Sequence, residues 1–267
     1  MSEYLFKSNI KEEIGVLKSI NPNLFSSWME LHDTVFADGA LSRKEKELIS
    51  VAGAHITRCP YCIKARVKSA NRAGATDEEI VEAIYVAMRF AMGAPFAYSS
   101  ISFETYNALQ NDESITEGNF FSKNISKEIG EFREASGGIS KPFMAFHQNV
   151  FADGALSKKL KRGIIGLAVA HMTKCPWCIR GCTKDALDFG FTKEQIAEAI
   201  NVAMIMSAGA CFAHTGLAME TLQEIKERKS KGSPAAAGGA GSAGKAESAA
   251  VAQSNLKDSP GDIDCGC

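Results

Sequence analysis

Apolar residues recur every three or four positions along most of the first 230 residues, a spacing that places them on one face of an α-helix. After Thr76 these positions are Ile80, Ala83, Ile84, Ala87, Met88 and Ala91. After Thr192 they are Ile196, Ala199, Ile200, Ala203 and Met204. Convincing strand-like alternation is absent, so the pattern predicts an all-α fold.

Helix start and stop signals divide this periodic sequence into separate helices. Ser42, Thr76 and Thr192 are each followed three residues later by glutamate or glutamine, the pattern of an N-terminal capping box. Pro60 suits the first turn of a helix, and Gly74 suits its end. We therefore expect helices after Ser42, from Pro60 to about Gly74, after Thr76, and after Thr192.

The chain is an internal duplication. The segment Val-Phe-Ala-Asp-Gly-Ala-Leu-Ser occurs at Val35–Ser42 and again at Val150–Ser157, 115 residues later. The Cys-Pro-aromatic-Cys motifs that begin at Cys59 and Cys175 are 116 residues apart. One residue has therefore been inserted between these landmarks in the second copy. A unit of this length is the size of a domain, larger than a solenoid repeat.

The duplication predicts two helical repeats, at about residues 1–115 and 116–230. From residue 231 the composition changes to Gly, Ala and Ser, which is typical of a flexible linker. We expect residues 231–267 to form a disordered tail that carries Cys265 and Cys267 at its tip. Such a tail spans on the order of 30 Å, and we hypothesise that its thiols exchange electrons with the Cys-x-x-Cys pairs.

Composition narrows the possible function classes. The 267 residues are 45% hydrophobic and carry a net charge of −1, which disfavours nucleic-acid and membrane-surface partners because both usually need a basic patch. The first residues show no signal-peptide pattern, and no segment approaches the ~20 apolar residues of a membrane span. We therefore expect a cytoplasmic protein. In that compartment eight cysteines indicate catalysis or metal binding rather than a disulfide framework.

Each repeat contains a Cys-Pro-aromatic-Cys motif with a histidine four residues before it. His55 precedes the pair Cys59 and Cys62, and His171 precedes the equivalent pair at 175–178. Two thiols at the start of a helix are well placed to form and break a disulfide, because the helix N-terminus favours the reactive thiolate. The motif predicts redox chemistry, and this argument favours the first cysteine of each pair as the nucleophile.

Glu47 adds a carboxylate to the first motif, eight residues before His55 and twelve before Cys59. A carboxylate, an imidazole and a thiol within reach of one another form a proton relay. In this hypothesis the base takes the thiol proton, the thiolate attacks, and the second thiol resolves the intermediate as a disulfide. A peroxide substrate would first convert the attacking thiolate to a sulfenic acid.

These motifs resemble the alkyl hydroperoxidase AhpD / carboxymuconolactone decarboxylase family. The similarity covers nearly all of residues 30–110 and 145–220, and it includes the segments Met92–Tyr98 and Ala208–His214. The resemblance implies a compact helical unit that assembles into oligomers. It also implies peroxiredoxin-like, antioxidant reduction of peroxides by thiols, without a bound organic cofactor. The electrons would come from a dithiol protein that is thioredoxin-like or bears a lipoyl group.

The family pattern is Glu, eleven residues, Cys-x-x-Cys, three residues, His. Glu47, Cys59 and Cys62 match it in repeat one, but Arg66 stands where the family often has histidine. His55 is an alternative base, and Arg66 is a cation that can hold a thiolate but cannot shuttle a proton at neutral pH. The resemblance favours the second cysteine of each pair as the nucleophile.

Repeat two departs further from the family pattern. Cys175 and Cys178 are present, but counting back from them places Gly163 at the acid position and counting forward places Cys182 at the histidine position. His171 is the alternative base there, and Cys182 is an alternative resolving thiol. His214 aligns with a tyrosine of repeat one, which leaves site-lining and a buried hydrogen bond equally open.

Two other function classes remain open. A carboxymuconolactone-type decarboxylase needs acid and base groups but no redox cysteine pair. A metal- or metalloid-binding protein is suggested by the three thiols Cys175, Cys178 and Cys182, which lie on successive helical turns, and by the Cys-Gly-Cys tail. The distance between the two Cys-x-x-Cys pairs far exceeds the usual zinc-ribbon spacing, so no shared zinc site is indicated.

Overall fold

The computed structural model describes residues 10–111 and 125–230, and all secondary structure in these residues is helical. The all-α prediction is therefore confirmed. The helices of the first repeat are α1 Lys11–Ile20, α2 Pro22–Phe36, α3 Arg43–Thr57, α4 Pro60–Arg72 and α5 Asp77–Gln110. Those of the second are α6 Ile125–Ala135, a 3-10 turn Gly137–Ile139, α7 Ser140–Val150, α8 Lys158–Leu160, a π-helical turn Lys161–Ile165, α9 Gly166–Met172, α10 Pro176–Asp188 and α11 Lys193–Ser230. Cys265 and Cys267 lie outside the described residues.

The helices begin at the capping residues that the sequence indicates. The side chains of Ser42 and Thr76 accept the amide N–H of the residue three positions later, and the glutamates there accept the N–H of the capping residue. Thr192 and a glutamine form the same reciprocal pair. Pro60 and Pro176 occupy the first turns of α4 and α10, where a missing N–H costs nothing.

The extra residue of the second copy is absorbed by the π-helical turn Lys161–Ile165. A single insertion into an α-helix rotates everything after it, and a π-turn confines that change to one wider turn. The offset between matching residues of the two repeats is 115 before this turn and 116 after it. Gly163 is buried with its Cα facing the Phe191 ring, and a Cβ added there would lie 2.8 Å from a ring carbon. Gly163 therefore has no room for an acidic side chain.

The two repeats share one hydrophobic core. Fully buried core residues from the first repeat include Leu48, Ile49 and Val51, and those from the second include Ile164, Ile165 and Leu167. α3 approaches the second repeat closely at Gly53, where an added Cβ would lie 2.9 Å from the sulfur of Met172. The described residues up to Ile225 form one compact unit.

Each repeat holds a loop of the other through a glutamate. Glu198 of α11 accepts the backbone N–H groups of Ala40 at 2.9 Å and Leu41 at 2.7 Å, and it forms an ion pair of 3.0 Å with the buried Lys46. The loop passes so close that a Cβ on Gly39 would overlap with the Glu198 carboxylate. The loop can adopt this conformation against Glu198 only with a glycine at this position.

The same contacts recur with the repeats exchanged. Glu82 of α5 accepts the N–H groups of Ala155 at 3.0 Å and Leu156 at 2.8 Å and pairs with the buried Lys161 at 3.1 Å. A Cβ on Gly154 would overlap with the Glu82 carboxylate. Glu82 and Glu198 are thus inter-repeat contacts, and the duplicated Ala-Asp-Gly-Ala-Leu-Ser segment is the loop that each of them binds.

The expectation that no segment approaches membrane-span length needs correction. By length and composition alone, Asp77–Gln110 and the part of α11 at Lys193–Glu227 are long and apolar enough to cross a membrane. Both helices pack into the shared core, through residues such as Val86 and Phe90 on α5 and Val202 and Met206 on α11. Their apolar composition therefore has a packing explanation.

Replacing Glu198 by alanine is expected to lower the free energy of unfolding by about 2 kcal/mol, because it leaves Lys46 buried without its carboxylate partner. Glu82→Ala is expected to have the same effect through Lys161. Chemical denaturation at neutral pH measures both. The exposed Glu30 is the matched control, and Glu30→Ala is expected to stay within about 0.5 kcal/mol of wild type. Equal stabilities for all three variants would contradict the stabilising role of the inter-repeat contacts of Glu82 and Glu198.

Candidate functional site

The first Cys-x-x-Cys pair lies at the N-terminus of α4. Cys59 is the N-cap residue, and its sulfur accepts the backbone N–H of Cys62 at 3.3 Å. Cys59 is completely buried, whereas Cys62 is 8% exposed and lines a cavity. The second sulfur of the pair is therefore the one that a ligand in the cavity meets.

This first cavity has a volume of about 520 Å³ and opens between helices α1, α2, α4 and α11. Residues of α11, which belongs to the second repeat, form one wall. The lining residues include Ile10, Ile14, Trp28, Met29, His32, Tyr61, Cys62, Lys64, Arg66, Lys68, Arg72, Ile205, Met206, Gly209, Phe212 and Ala213. The cavity of repeat one is thus completed by the long helix of repeat two.

A buried charge network lies behind Cys62. Glu47 has no exposed surface, and its carboxylate contacts Arg43 at 2.8 Å, Arg66 at 3.6 Å and the hydroxyl of Ser50 at 3.1 Å. Arg66 in turn donates a hydrogen bond of 2.7 Å to Nε2 of His32. Two arginines compensate the carboxylate, which is the condition for burying such a charge.

His32 is a residue of this network that the sequence analysis missed. Because Arg66 donates to Nε2, the neutral imidazole carries its proton on Nδ1, which lies 3.0 Å from the carboxylate of Asp33. His32 comes from α2, far in sequence from the cysteines. The available signal was its recurrence as His147, 115 residues later.

The surroundings of Cys62 disfavour its thiolate in the resting pair. Burial raises the pKa of Cys62 to about 12, with further contributions from the hydrogen bond and the charge of Cys59, while Arg66 acts in the opposite direction. Burial also lowers the pKa of Arg66, which the Glu47 carboxylate opposes. Arg66 is therefore the cation that stabilises a negative charge on this sulfur.

The second pair has the same local geometry at the N-terminus of α10. Cys175 is the N-cap residue, is completely buried, and accepts the backbone N–H of Cys178 at 3.4 Å. Cys178 is partly exposed and lines a smaller cavity of about 210 Å³. Arg89 and Phe90 of α5 form one wall, so this cavity is completed by the long helix of repeat one.

The charges around the second pair differ from those around the first. Arg162 takes the position that corresponds to Glu47 in the 115-residue register, and it pairs with Asp185 at 2.5 Å. Arg89 donates a hydrogen bond of 2.9 Å to Nδ1 of His147. An arginine therefore takes the place of the buried carboxylate in this site, and its acidic partner comes from α10.

In the second pair the buried sulfur has the lower pKa of the two. The hydrogen bond from Cys178 lowers the pKa of Cys175 to about 7 despite the opposing effect of burial, and the N–H groups of Cys178 and Trp177 assist. The same hydrogen bond, together with burial, raises the pKa of Cys178. Burial raises the pKa of Cys182 to about 12. Burial and the neighbouring Arg89 lower the pKa of His147 to about 4, so this imidazole is neutral at pH 7.

The histidines that precede the two motifs contact the backbone of their own helices. Nδ1 of His55 and Nδ1 of His171 each lie 2.8 Å from the backbone carbonyl four residues earlier in their own helices. Neither ring lines the two cavities described above. The ring of His214 lies edge-on to Tyr61, with centroids 6.2 Å apart, next to the first cavity. The cation that acts on Cys62 is therefore Arg66, which contacts Glu47 and His32, and His55 has no contact with this group.

Across residues 10–111 and 125–227, no group of three or more His, Cys, Asp or Glu side chains is arranged to hold a metal ion. This includes Cys175, Cys178 and Cys182, although they lie on successive turns of α10. Cys175 and Cys178 are hydrogen-bonded to each other, and Cys182 is buried.

Comparison with known proteins gives consistent matches. The sequence model of the carboxymuconolactone decarboxylase family matches residues 22–99 and 139–220, together more than half of the chain. An uncharacterised protein of the cox locus of Paracoccus denitrificans is 50% identical over 100 residues, 38% of this chain and 89% of the relative. An uncharacterised protein of Cupriavidus necator H16 is 28% identical over 102 residues, 38% of this chain and 90% of the relative.

A similar fold occurs in a crystal structure from Burkholderia xenovorans LB400, of a protein described as a candidate gamma-carboxymuconolactone decarboxylase subunit. The TM-score is 0.62 at 14% identity, over 81% of this chain and 91% of the other. At this identity the likeness concerns the fold alone. The two sequence relatives have about the length of one repeat, so this chain joins two such units.

Thiolate absorbance in the ultraviolet is expected to show a titration step centred near pH 7, because the pKa of Cys175 is lowered to about 7. The thiolate is present above that pH and is lost as the pH falls through it. Cys175→Ser is expected to remove the step, and the matched Cys59→Ser is expected to retain it. A step that persists in Cys175→Ser would refute this assignment.

Proposed function

The chain belongs to the carboxymuconolactone decarboxylase family, and we propose that it is a thiol-dependent hydroperoxide reductase that acts through Cys62 and Cys59. The observation that carries this proposal is the placement of Cys62 at the wall of a 520 Å³ cavity, with Cys59 hydrogen-bonded behind it. A nucleophile that meets the ligand and a second thiol in direct contact with it are the two parts that such a reaction needs.

The reaction consists of two steps. The Cys62 thiolate attacks the outer peroxide oxygen, an S–O bond forms, the O–O bond breaks, and the alcohol leaves after it takes up a proton. The Cys62 sulfur loses two electrons, and the peroxide gains them. The Cys59 thiolate then attacks the sulfur of the sulfenic acid, which forms the disulfide and releases water after the oxygen takes up a proton. A dithiol partner returns two electrons and two protons through thiol–disulfide exchange.

The first cysteine of each pair is proposed to act as the base for the second. In the second pair, Cys175 has the lowered pKa and Cys178 donates the hydrogen bond to it. A proton that moves along this hydrogen bond transfers the negative charge to the sulfur that faces the cavity. Cys59 and Cys62 share the same geometry, so we assign the same proton transfer to them.

Arg66 then stabilises the charge on Cys62. It is held by Glu47 and by His32, so its guanidinium is positioned before the reaction begins. Preorganised cations of this kind lower the barrier because they need no reorganisation when the charge develops. Glu47 and His32 are therefore positioning residues that act through Arg66.

The remaining parts of the proposal concern partners and location. The electron donor is a dithiol protein of the thioredoxin-like or lipoyl-bearing class, the protein is a homo-oligomer, and it acts in the cytoplasm. Repeat two, with the smaller cavity and with Arg162 in place of a carboxylate, is assigned a subordinate role in peroxide reduction.

A carboxymuconolactone-type decarboxylase is the second candidate function. Two observations favour it: the description of the structural neighbour, and the acid–base groups Glu47 and His32 behind Cys62. Decarboxylation of a lactone does not require the thiols. Retention of lactone decarboxylation after Cys→Ser changes at Cys59, Cys62, Cys175 and Cys178 would favour this candidate over the first.

The proposal is tested by peroxide consumption with a dithiol reductant. Cys62→Ser is expected to lower the rate by roughly 10³-fold or more, since it removes the nucleophile. Without the reductant, Cys59→Ser is expected to consume one equivalent of peroxide and to leave Cys62 as a sulfenic acid that dimedone labels, whereas wild type forms the disulfide. Cys178→Ser, the equivalent change in repeat two, measures how much that repeat contributes.

Cys211, which is exposed on α11, provides the matched control. Cys211→Ser is expected to leave the rate unchanged. A wild-type rate no higher than that of the reductant alone, or an undiminished rate in Cys62→Ser, would refute the proposed function.

A further inference from the structure

We infer that the cavity beside Cys62 selects amphipathic anions, that is, ligands with an apolar chain and a carboxylate. If the proposed function holds, its preferred substrates are organic hydroperoxides of this class. The inference that they are substrates rests on that function, whereas the binding preference is a property of the cavity itself.

The interior of the cavity is suited to an apolar chain. Its walls include Ile14 of α1, Trp28 of α2, and Met206 and Phe212 of α11. A volume of about 520 Å³ falls within the range of small-molecule sites and exceeds what hydrogen peroxide needs. Burial of a hydrocarbon chain against these side chains supplies the affinity.

The charge around the cavity comes from a single helix. Within Pro60–Arg72, α4 carries four basic residues and no acidic residue, and all four basic residues line the cavity: Lys64, Arg66, Lys68 and Arg72. Lys64, Lys68 and Arg72 are four residues apart, so they lie along one exposed face of the helix. Among the described residues, neither Lys64 nor Lys68 is paired with a carboxylate. This rim can therefore attract an anion.

The equivalent helix of repeat two lacks this charge. In α10 the residues at the corresponding positions are Arg180, Lys184 and Asp188, and Lys184 is paired with Asp188 at 2.5 Å. Asp185 adds a second acidic residue and binds Arg162. Basic and acidic residues cancel in α10, and its cavity is less than half as large. The anion preference is accordingly assigned to repeat one.

The charged and reactive groups of α4 fit one orientation of such a ligand. The carboxylate stays at the hydrated rim beside Lys64 and Lys68, where it loses little solvation. The apolar chain enters the cavity, in which Cys62 is the reactive group. A neutral ligand of the same length gains the same apolar burial but no attraction from the rim.

Binding is measured first with ligands that cannot be reduced, decanoate and 1-decanol. The reporter is Trp28 fluorescence in the full chain with Trp177→Phe, where Trp28 is the remaining tryptophan of two. Calorimetry on the wild-type chain replaces it if that variant does not fold. We expect decanoate to bind about tenfold more tightly than decanol, with a difference that shrinks as salt is added.

Charge reversal then locates the preference. K64E/K68E is expected to weaken decanoate binding about tenfold and to leave decanol binding within about twofold. R180E/K184E makes the same charge change on the equivalent face of repeat two and is expected to leave both affinities unchanged. Equal affinity for the two ligands, an equal loss in R180E/K184E, or no saturable binding would each overturn the inference.

Turnover separates this inference from the proposed function. A fatty-acid hydroperoxide and its methyl ester are compared, and KM is expected to be lower for the acid in wild type and equal for both in K64E/K68E. Decanoate binding without any peroxide turnover would refute the proposed function and leave the anion site standing. Turnover that does not distinguish the acid from the ester would refute the anion preference. A K64E/K68E variant that changes the KM for the reductant alone would instead identify a docking face for an acidic protein and overturn it.

Discussion

The exchange of two glutamates between the repeats is the contact on which the arrangement of this protein depends. Glu198 satisfies the backbone of the loop before α3, and Glu82 does the same for the loop before α8. Each carboxylate also neutralises a buried lysine, so neither repeat can satisfy these groups alone. Because the loops are fixed from the opposite repeat, α5 and α11 are brought against the opposite cysteine pair, and both cavities lie between repeats.

Within each site, the start of a helix gives the two cysteines different surroundings, one buried at the N-cap and the other facing the cavity. Cys59 and Cys175 occupy N-cap positions, where a sulfur replaces the usual oxygen as acceptor for the helix N–H groups. That position is buried, and the partner cysteine one turn later faces the cavity. In the second pair the pKa of the buried Cys175 is lowered and that of Cys178 is raised, so the buried sulfur ionises first. The two competing arguments about the nucleophile, helix position and accessibility, therefore refer to different sulfurs of one pair.

Duplication has allowed the two sites to diverge on a common scaffold. Glu47 with Arg66 and His32 surrounds the first pair, whereas Arg162, Asp185 and Arg89 surround the second. The inserted residue contributed to this change, because the π-turn places Gly163 against Phe191 and leaves Arg162 in the register of Glu47. Thiol pairs of the same local geometry thus lie beside differently arranged charges, a carboxylate held by two arginines in the first site and an arginine held by Asp185 in the second.

The sequence by itself determined the helices, their caps, the duplication and the two thiol pairs, because capping boxes, apolar periodicity and motif spacing are local properties of the chain. It also placed Glu47 and Arg66 near Cys62, within one helix–turn–helix. The tertiary structure alone decided that His32 and not His55 contacts Arg66, that Cys62 and not Cys59 meets the cavity, and that α11 closes a site of repeat one. These outcomes depend on the packing of helices far apart in sequence, and a local pattern carries no information about which side chains such packing brings together.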